Sequence, residues 1–303
     1  MIFYNISTNS TVSDEQTGNR LKLNSLGNIV IINCVVNAPL MLMSILGNYL
    51  VFIAIWRTVS LRSPSMMFIC SLAVSDLLVG LIVQPLYIAN SLITARLLKI
   101  LSSMMAFAAC GVSLGTMAAI SFDRYLALHY HMRYTVVMTS SRAILALITT
   151  WATTFLLSCV IFWNPSTFMA IIALLIFVYL IISAYFYIRI YKIVRRHQIQ
   201  IRRQECSPQT PNAFGLNQKS LNKSAFNTFV FYVSTILCYF PRFVSVPFSD
   251  PHTHDKTAWI FADTLIFLNS SINPALYCWR LRDLRIAVLN TLRALFYRQT
   301  EEH

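Results

Sequence analysis

Charged side chains are scarce in this 303-residue chain: Asp, Glu, Lys and Arg make up 12% of the residues, whereas 56% are hydrophobic. A soluble domain carries about 25% charged residues. A nucleic-acid-binding function would require a soluble basic domain, and the composition excludes one despite a formal net charge of +13. The chain is therefore predicted to be a membrane protein whose basic surface faces the lipid bilayer and cytoplasmic partners, with no nucleic-acid partner.

Glycine is also scarce, with seven in the whole chain, and no internal repeat is evident. Many transporters are built from inverted repeats whose helices are interrupted by glycine or proline. Neither observation supports a multi-span transporter or channel, which is kept as an alternative function.

Histidine is missing from the apolar runs, since all six histidines lie in predicted loops or tails. An intramembrane protease needs a base next to a nucleophile at one depth. Neither such a pair nor a buried metal triad is found in the apolar runs, so no enzymatic activity is expected. All seven cysteines fall in apolar runs or in the inner loop, so no extracellular disulfide is expected.

Seven apolar runs are long enough to cross a bilayer, which takes about 20 helical residues. They lie near residues 28–56, 66–93, 100–122, 142–162, 168–191, 225–248 and 257–279. The predicted fold is an all-α membrane protein with a seven-transmembrane-helix bundle. The predicted domains are a tail (1–27), the seven-helix domain (28–280) and a C-terminal segment (281–303) that begins with a short amphipathic helix.

Lys and Arg indicate the orientation, because they concentrate in the joints after the first, third, fifth and seventh runs. Cytoplasmic loops of membrane proteins are enriched in these residues. The N-terminus is therefore predicted to lie outside and the C-terminus inside. The tail lacks the pattern of a signal peptide. It contains two glycosylation sequons, at Asn5 and Asn9, for which chance matches in an Asn/Ser/Thr-rich tail are an equal alternative.

Several polar residues share one depth. Counting helical rise from the inner ends places Asn48, Asp76, Ser113 and Asn273 roughly 10–15 Å above the inner edge. An intramembrane carboxylate is costly unless it faces the bundle interior among partners. Together with Asn269, these oxygens suit a small cation or a water cluster. A hydrogen-bonded clamp between helices, with no ion, explains the same residues.

Six motifs occur in order along the apolar runs. They are Gly47-Asn48, Ser71–Asp76 (SLAVSD), Asp123-Arg124-Tyr125, Trp151, Phe240-Pro241 and Asn273-Pro274-Ala275-Leu276-Tyr277. In this order, each in its own span, they resemble the rhodopsin-like (class A) G-protein-coupled receptors. The resemblance covers about residues 28–297.

The resemblance implies a mechanism of activation. Arg124 is held at rest and turns toward a heterotrimeric G protein when the sixth helix, kinked at Pro241, swings outward. The residues it implies for activation and coupling are Asp123, Arg124, Tyr125, Tyr187, Pro241, Asn273, Pro274 and Tyr277. Further implied partners are an extracellular ligand, arrestin and receptor kinases.

The resemblance also identifies the polar level with a sodium site. The matching residues are Asn48, Asp76, Ser113, Asn269 and Asn273. Sodium would act there as an allosteric modulator, and no cofactor is required.

Departures from the family pattern concern the ligand. Lys99 stands where most relatives have a cysteine, Tyr239 where a tryptophan is usual, and Tyr179 where a proline is usual. Together with a very short second outer loop, this pattern is most similar to the melanocortin, cannabinoid, lysophospholipid and adenosine receptors, melanocortin receptors especially. Leu86, Lys99 and Ser103 nevertheless replace the acidic residues with which melanocortin receptors bind peptide and calcium, so that ligand is not expected here.

Two further ligand classes are disfavoured by single positions. Amine receptors carry an aspartate where this chain has Ala106, and opsins carry a lysine where it has Phe267. Neither an amine nor covalent retinal is expected.

Arg242 lies in an apolar run and shares a depth of about 10 Å with Asp263. Two interpretations remain open. The two residues form an interhelical ion pair, or Arg242 binds a carboxylate or phosphate of an acidic small molecule or lipid. The other predicted ligand-binding residues are Tyr87, Phe107, Cys110, Tyr239, Phe243 and Trp259, for each of which ordinary helix packing is the alternative.

Overall fold

The computed structural model describes residues 3–93, 95–130, 133–205, 214–245 and 256–301. Side chains are described from residue 27 onward, outside 197–198, 200–228, 256–257 and 295–303. Within these ranges the chain is helical with short connections and has no strand. The predicted all-α class is confirmed.

The α-helices follow one another with few residues between them. They are α1 (Phe3–Arg57), α2 (Pro64–Leu78), α3 (Gln84–Leu92), α4 (Arg96–Tyr130), α5 (Tyr134–Val137), α6 (Ser140–Ser158), α7 (Pro165–Glu205), α8 (Phe214–Ser245), α9 (Lys256–Arg280) and α10 (Arg282–Glu301). A π-helical turn over Val79–Val83 joins α2 to α3, and a 3₁₀ turn over Cys159–Phe162 extends α6.

The predicted spans correspond to α1, to α2 with α3, and to α4, α6, α7, α8 and α9. Five regions of the described chain are long and apolar enough to cross a membrane: Gly27–Arg57, Pro64–Leu92, Arg96–Tyr130, Ser140–Phe162 and Pro165–Arg196. In α8 the apolar part is the shorter Phe229–Ser245. Helix α9 occupies the seventh predicted span, and inward-facing polar residues such as Asn269 and Asn273 lower its hydropathy.

Helix α1 begins at Phe3, upstream of the predicted first span, but its membrane-crossing part begins at Gly27. The side chains of Asn5 and Asn9 lie outside the described ones, so glycosylation stays a prediction. Residues 206–213 and 246–255, which contain parts of the predicted inner and outer loops, also lie outside the described residues.

Helix α4 is the centre of the bundle. It packs against α2, α6, α7 and α8, while α9 packs against α1 and α8. Every residue from Ala109 to Ala118 is buried. A helix that is apolar around its whole circumference is expected in such a central place. The bundle therefore brings polar residues of α2, α4 and α9 into one interior.

The amphipathic helix predicted after the seventh span is present as α10. Leu284 and Val288 are buried in a cluster with Val51 of α1 and Tyr277 of α9. Arg282, Arg285 and Arg293 are exposed on the other faces of α10. The helix is thus fixed to the inner end of the bundle by its apolar face.

Gly47 of α1 packs directly against Pro274 of α9. A Cβ atom on this glycine would lie 2.9 Å from Cγ and 3.0 Å from Cβ of Pro274, and a change of ring pucker moves Cγ but leaves the proline Cβ almost where it is. We predict that Gly47→Ala destabilises the folded protein by about 1–3 kcal/mol, the usual cost of overpacking. Thermal unfolding of the detergent-solubilised chain measures this.

Gly27→Ala is the matched control, because nothing lies within 4 Å of a Cβ atom on Gly27 in the same helix. It is expected to leave the unfolding temperature unchanged or slightly raised. If both variants unfold at the temperature of the wild type, the close contact at Gly47 does not limit packing.

Candidate functional site

A cavity of about 150 Å³ lies between α3, α4, α7, α8 and α9. Six of the predicted ligand-binding residues line it: Tyr87, Phe107, Cys110, Tyr239, Arg242 and Asp263. The structure does not place Phe243 and Trp259 on its wall. Phe243 stacks on Phe177 with ring centres 5.9 Å apart. The ring centre of Trp259 lies 4.0 Å from the guanidinium carbon of Arg242.

Arg242 and Asp263 form an ion pair between α8 and α9. Nη1 of Arg242 lies 3.3 Å from Oδ1 of Asp263, and their side chains are 11% and 26% exposed. The guanidinium also stacks over the ring of Trp259, a cation–π contact. A paired and stacked charge is far less costly inside a membrane protein than an isolated one. These contacts explain how an arginine is accommodated in an apolar run.

The ion pair is not an aligned hydrogen bond. Nη1 of Arg242, which lies nearest to Asp263, is buried and has no aligned hydrogen bond within the described part of the chain. The guanidinium is a fork of five N–H donors that matches a carboxylate or phosphate. Arg242 therefore lines the cavity with a guanidinium whose contact with Asp263 is imperfectly aligned.

Aromatic side chains form the apolar wall and floor of the cavity. The rings of Tyr87 and Phe267 meet edge to face with their centres 5.1 Å apart, and the ring centres of Phe107 and Phe168 are 5.2 Å apart. The floor is Tyr239, whose side chain is buried and whose hydroxyl donates to the carbonyl oxygen of Cys110 at 3.2 Å. This bond ties α8 to α4 directly beneath the cavity.

The polar level lies deeper, around Asp76. Its Oδ1 accepts a hydrogen bond from Ser113 at 3.0 Å, and its Oδ2 accepts one from Nδ2 of Asn273 at 2.7 Å. Asn48 instead donates to the carbonyl oxygens of Ser44 and Ser270. The structure thus brings three of the five predicted residues into direct contact.

The remaining amide oxygens at this level are free. Asn269 directs its Nδ2 to the sulfur of Met117 at 4.0 Å. Oδ1 of Asn48, of Asn269 and of Asn273 are buried without a hydrogen-bond donor among the described residues. Buried oxygens without donors next to a carboxylate are the hard ligands that a small cation prefers. The donor set therefore fits sodium, and it equally fits buried water.

Asp123 is the centre of a network at the inner end of α4. Its Oδ2 lies 3.2 Å from Nη2 of Arg124 and accepts a bond from Ser65 of α2 at 2.7 Å. Its Oδ1 accepts a bond from the Tyr134 hydroxyl of α5 at 2.6 Å. Burial, together with the bond to Asp123, raises the pKa of Tyr134 to about 12. Tyr134 therefore remains a protonated donor at physiological pH.

The remaining predicted activation residues are three tyrosines that pack against α7 or α8 and two prolines inside helices. Tyr277 is buried and stacks on Phe231 of α8 at 5.4 Å, and Tyr187 stacks on Tyr232 of α8 at 5.5 Å. Tyr125 lies next to α7, where Arg189 lies 5.7 Å above its ring. Pro241 is inside α8, and Pro274 is inside α9 against Gly47.

Several site residues are not evident from the sequence. Ser65 and Tyr134 hold Asp123, and Asn90, Ser102 and Phe168 line the cavity. The first two lie near helix ends beside the inner loops, where spacing alone does not reveal which residues meet. The only available signal is that hydroxyl-bearing residues flank the inner ends of the second, third and fourth spans.

Comparison with known proteins agrees with this geometry. Residues 47–277 match the family described as 7 transmembrane receptor (rhodopsin family). The chain is also similar to Melanocortin receptor 4 of Danio rerio, with 26% identity over 262 residues that cover 80% of this chain and 78% of that receptor. The family match spans more than half of the chain and includes each of the six motifs. The chain belongs to the rhodopsin family of seven-transmembrane, G-protein-coupled receptors.

Proposed function

We propose that this protein is a plasma-membrane receptor, with its N-terminus outside, that binds an acidic small molecule or lipid and activates a heterotrimeric G protein. The observation that carries the ligand class is the Arg242 guanidinium at the edge of the cavity, with Nη1 lacking an aligned hydrogen bond. Arrestin and receptor kinases are proposed as further partners, on the pattern of the family. The receptor is a signalling protein and not an enzyme.

The cavity combines one cationic side chain with an apolar wall. An acidic group bound by Arg242 gains bidentate, charge-assisted hydrogen bonds, while the aromatic residues bury the rest of the ligand. Asp263 either keeps the guanidinium oriented or accepts a donor of the ligand. Melanocortin receptor 4 is named for a peptide ligand, but Leu86, Lys99 and Ser103 make the same ligand an unsuitable proposal here.

Cavity size connects ligand binding to activation. Pockets for drug-sized ligands measure about 300–1,000 Å³, whereas this cavity measures about 150 Å³. A ligand too large for this volume extends through the mouth of the cavity or displaces part of its wall. Because Tyr239 and Arg242 belong to α8, displacement of their side of the wall would move the helix whose inner end is expected to swing away from Arg124.

Arg242→Ala tests the ligand class. We predict that an acidic agonist, found by screening carboxylates, phosphates and lysolipids for G-protein activation in cells, loses about 30-fold or more in potency. Arg242→Lys keeps the charge but not the fork, so an intermediate loss is expected. The neutral ester of the same agonist should be weak on the wild type and insensitive to either change.

The double variant Arg242→Ala with Asp263→Ala distinguishes the two roles of the arginine. If potency stays low in the double variant, Arg242 contacts the ligand directly. If potency returns, Arg242 serves only to neutralise Asp263. If instead basal activity rises in the single variant and the double variant adds little, the pair is a structural lock and the acidic-ligand proposal is wrong.

The network at Asp123 is proposed to keep the receptor at rest. We predict that Tyr134→Phe raises basal nucleotide exchange roughly threefold or more, because a hydrogen bond to a charged group is lost. Surface expression and radiolabelled GTP-analogue binding in membranes measure this. Tyr130→Phe removes the same hydroxyl from an exposed tyrosine at the end of α4 and should change nothing. Equal basal exchange in both variants would contradict the proposal.

Sodium is proposed as an allosteric modulator held by Asp76 and Ser113 with the free oxygens of Asn48, Asn269 and Asn273. The cation would supply a positive charge that neutralises the carboxylate and joins α1, α2, α4 and α9. By favouring this packed arrangement it would lower basal activity.

Asp76→Asn is predicted to abolish the effect of sodium on signalling, because the amide provides no negative charge. Basal nucleotide exchange is compared in sodium and in N-methylglucamine at constant ionic strength. Asp263→Asn, which changes a carboxylate outside the polar level, should retain the sodium effect. An unchanged sodium response in the Asp76 variant rejects the ion site and leaves a hydrogen-bonded clamp.

A further inference from the structure

A second cavity, of about 420 Å³, opens at the cytoplasmic end between α1 and α10. We call it the α1–α10 groove. One wall is Arg57 at the end of α1 with Thr58 and Ser60 of the connection that follows, and the other is a single face of α10 that includes Asp283, Ile286 and Asn290. It has room for on the order of ten water molecules. The groove is separate from the ligand cavity and from the residues of the inner network.

The charged groups of the groove are one cation and one carboxylate. Arg57 lines one wall and Asp283 the other, and no ion pair joins them in the described part of the chain. Both side chains are exposed. The hydroxyls of Thr58 and Ser60 and the amide of Asn290 complete the lining. The groove is thus neutral overall, with opposite charges on facing walls.

The groove borders the inner leaflet of the membrane. Arg57 is the last residue of the first membrane-crossing helix, where a cation meets the lipid phosphates. Helix α10 packs its Leu284 and Val288 face on the bundle, while Ile286 at the groove and Leu289 beside it are 45% and 47% exposed. Exposed apolar residues on a helix at this depth lie among lipid chains. The natural occupant of the groove is therefore a lipid headgroup.

We propose that the α1–α10 groove binds the headgroup of phosphatidylethanolamine, with Arg57 on the phosphate and Asp283 on the primary ammonium. A headgroup with one anionic and one cationic end matches a groove with one of each charge. The ammonium of phosphatidylcholine is quaternary and has no N–H to donate to Asp283. Phosphatidylserine adds a carboxylate that Asp283 repels, and a phosphoinositide needs several cations where the groove has only Arg57 among its described lining.

Helix α10 also carries arginines outside the groove, which can be compared with Arg57 and Asp283 inside it. Arg282, Arg285 and Arg293 are exposed and do not line the groove. They attract anionic lipids to the helix without selecting a headgroup. Selectivity for a zwitterionic primary amine should therefore depend on Arg57 and Asp283 and not on these residues.

Native mass spectrometry of the full-length receptor, released from nanodiscs of equimolar phosphatidylethanolamine, phosphatidylcholine and phosphatidylserine, tests the proposal. We expect one phosphatidylethanolamine to be retained in preference to phosphatidylcholine. Arg57→Gln and Asp283→Asn should each lower that retention about fivefold. Arg285→Gln, a matched loss of charge outside the groove, should lower phosphatidylserine retention only.

A second measurement needs no variant. On the wild type, retention should fall stepwise for mono-, di- and trimethylated phosphatidylethanolamine, as the N–H donors available to Asp283 are removed. Equal retention across this series, or retention unaffected by Arg57→Gln, overturns the proposal. Hydrogen exchange of the backbone amides that line the groove gives a further test. If these amides become protected only when a G protein is added, the groove binds a protein partner and the proposal is wrong. Because the readout is lipid mass, it is independent of the proposed signalling function.

Discussion

An ionisable side chain inside a bilayer persists only where other protein groups surround it, and this requirement organises the bundle at three depths. Asp76 takes its hydrogen bonds from α4 and α9, so three spans meet at one carboxylate. Arg242 and Asp263 join α8 to α9 near the outside. Asp123 joins α4 to α2 and α5 at the inside. At each of these three depths one acidic residue joins neighbouring helices. Exposing its carboxylate to lipid would cost too much free energy, so the helices around it stay packed.

Helix α8 is joined to its neighbours by a series of contacts at different depths. From the outside inward they are Arg242 with Asp263, Tyr239 with Cys110, Thr235 with the Met117 sulfur, and Phe231 with Tyr277. Of these four contacts only the outermost involves two charges, and Arg242 and Asp263 both line the cavity. A ligand that engaged Arg242, as proposed, would compete for this ion pair between α8 and α9 and so could couple binding to movement of α8.

The sequence determines depth far better than it determines rotation about a helix axis. Counting residues from span ends predicts that Arg242 and Asp263 lie at one level, and they are 3.3 Å apart. Phe243 and Trp259 are predicted as apolar wall residues, yet neither lines the cavity, because position along a helix does not specify which way a side chain faces. The bond from Tyr134 to Asp123 is harder still to foresee, since it depends on the path of a loop.

The π-helical turn over Val79–Val83 places one additional residue in the second span. Each residue turns an α-helix by about 100°, so this insertion fixes the direction of every side chain beyond it. Gln84 and Tyr87 follow directly, and Tyr87 reaches the cavity. Deleting one residue from the turn would rotate the outer part of the span and remove Tyr87 from the cavity wall. Asn90, which also lies beyond the turn, would move with Tyr87, whereas the cavity residues of α4, α7, α8 and α9 would stay in place. A single-codon deletion here is thus an evolutionary route to new ligand preference.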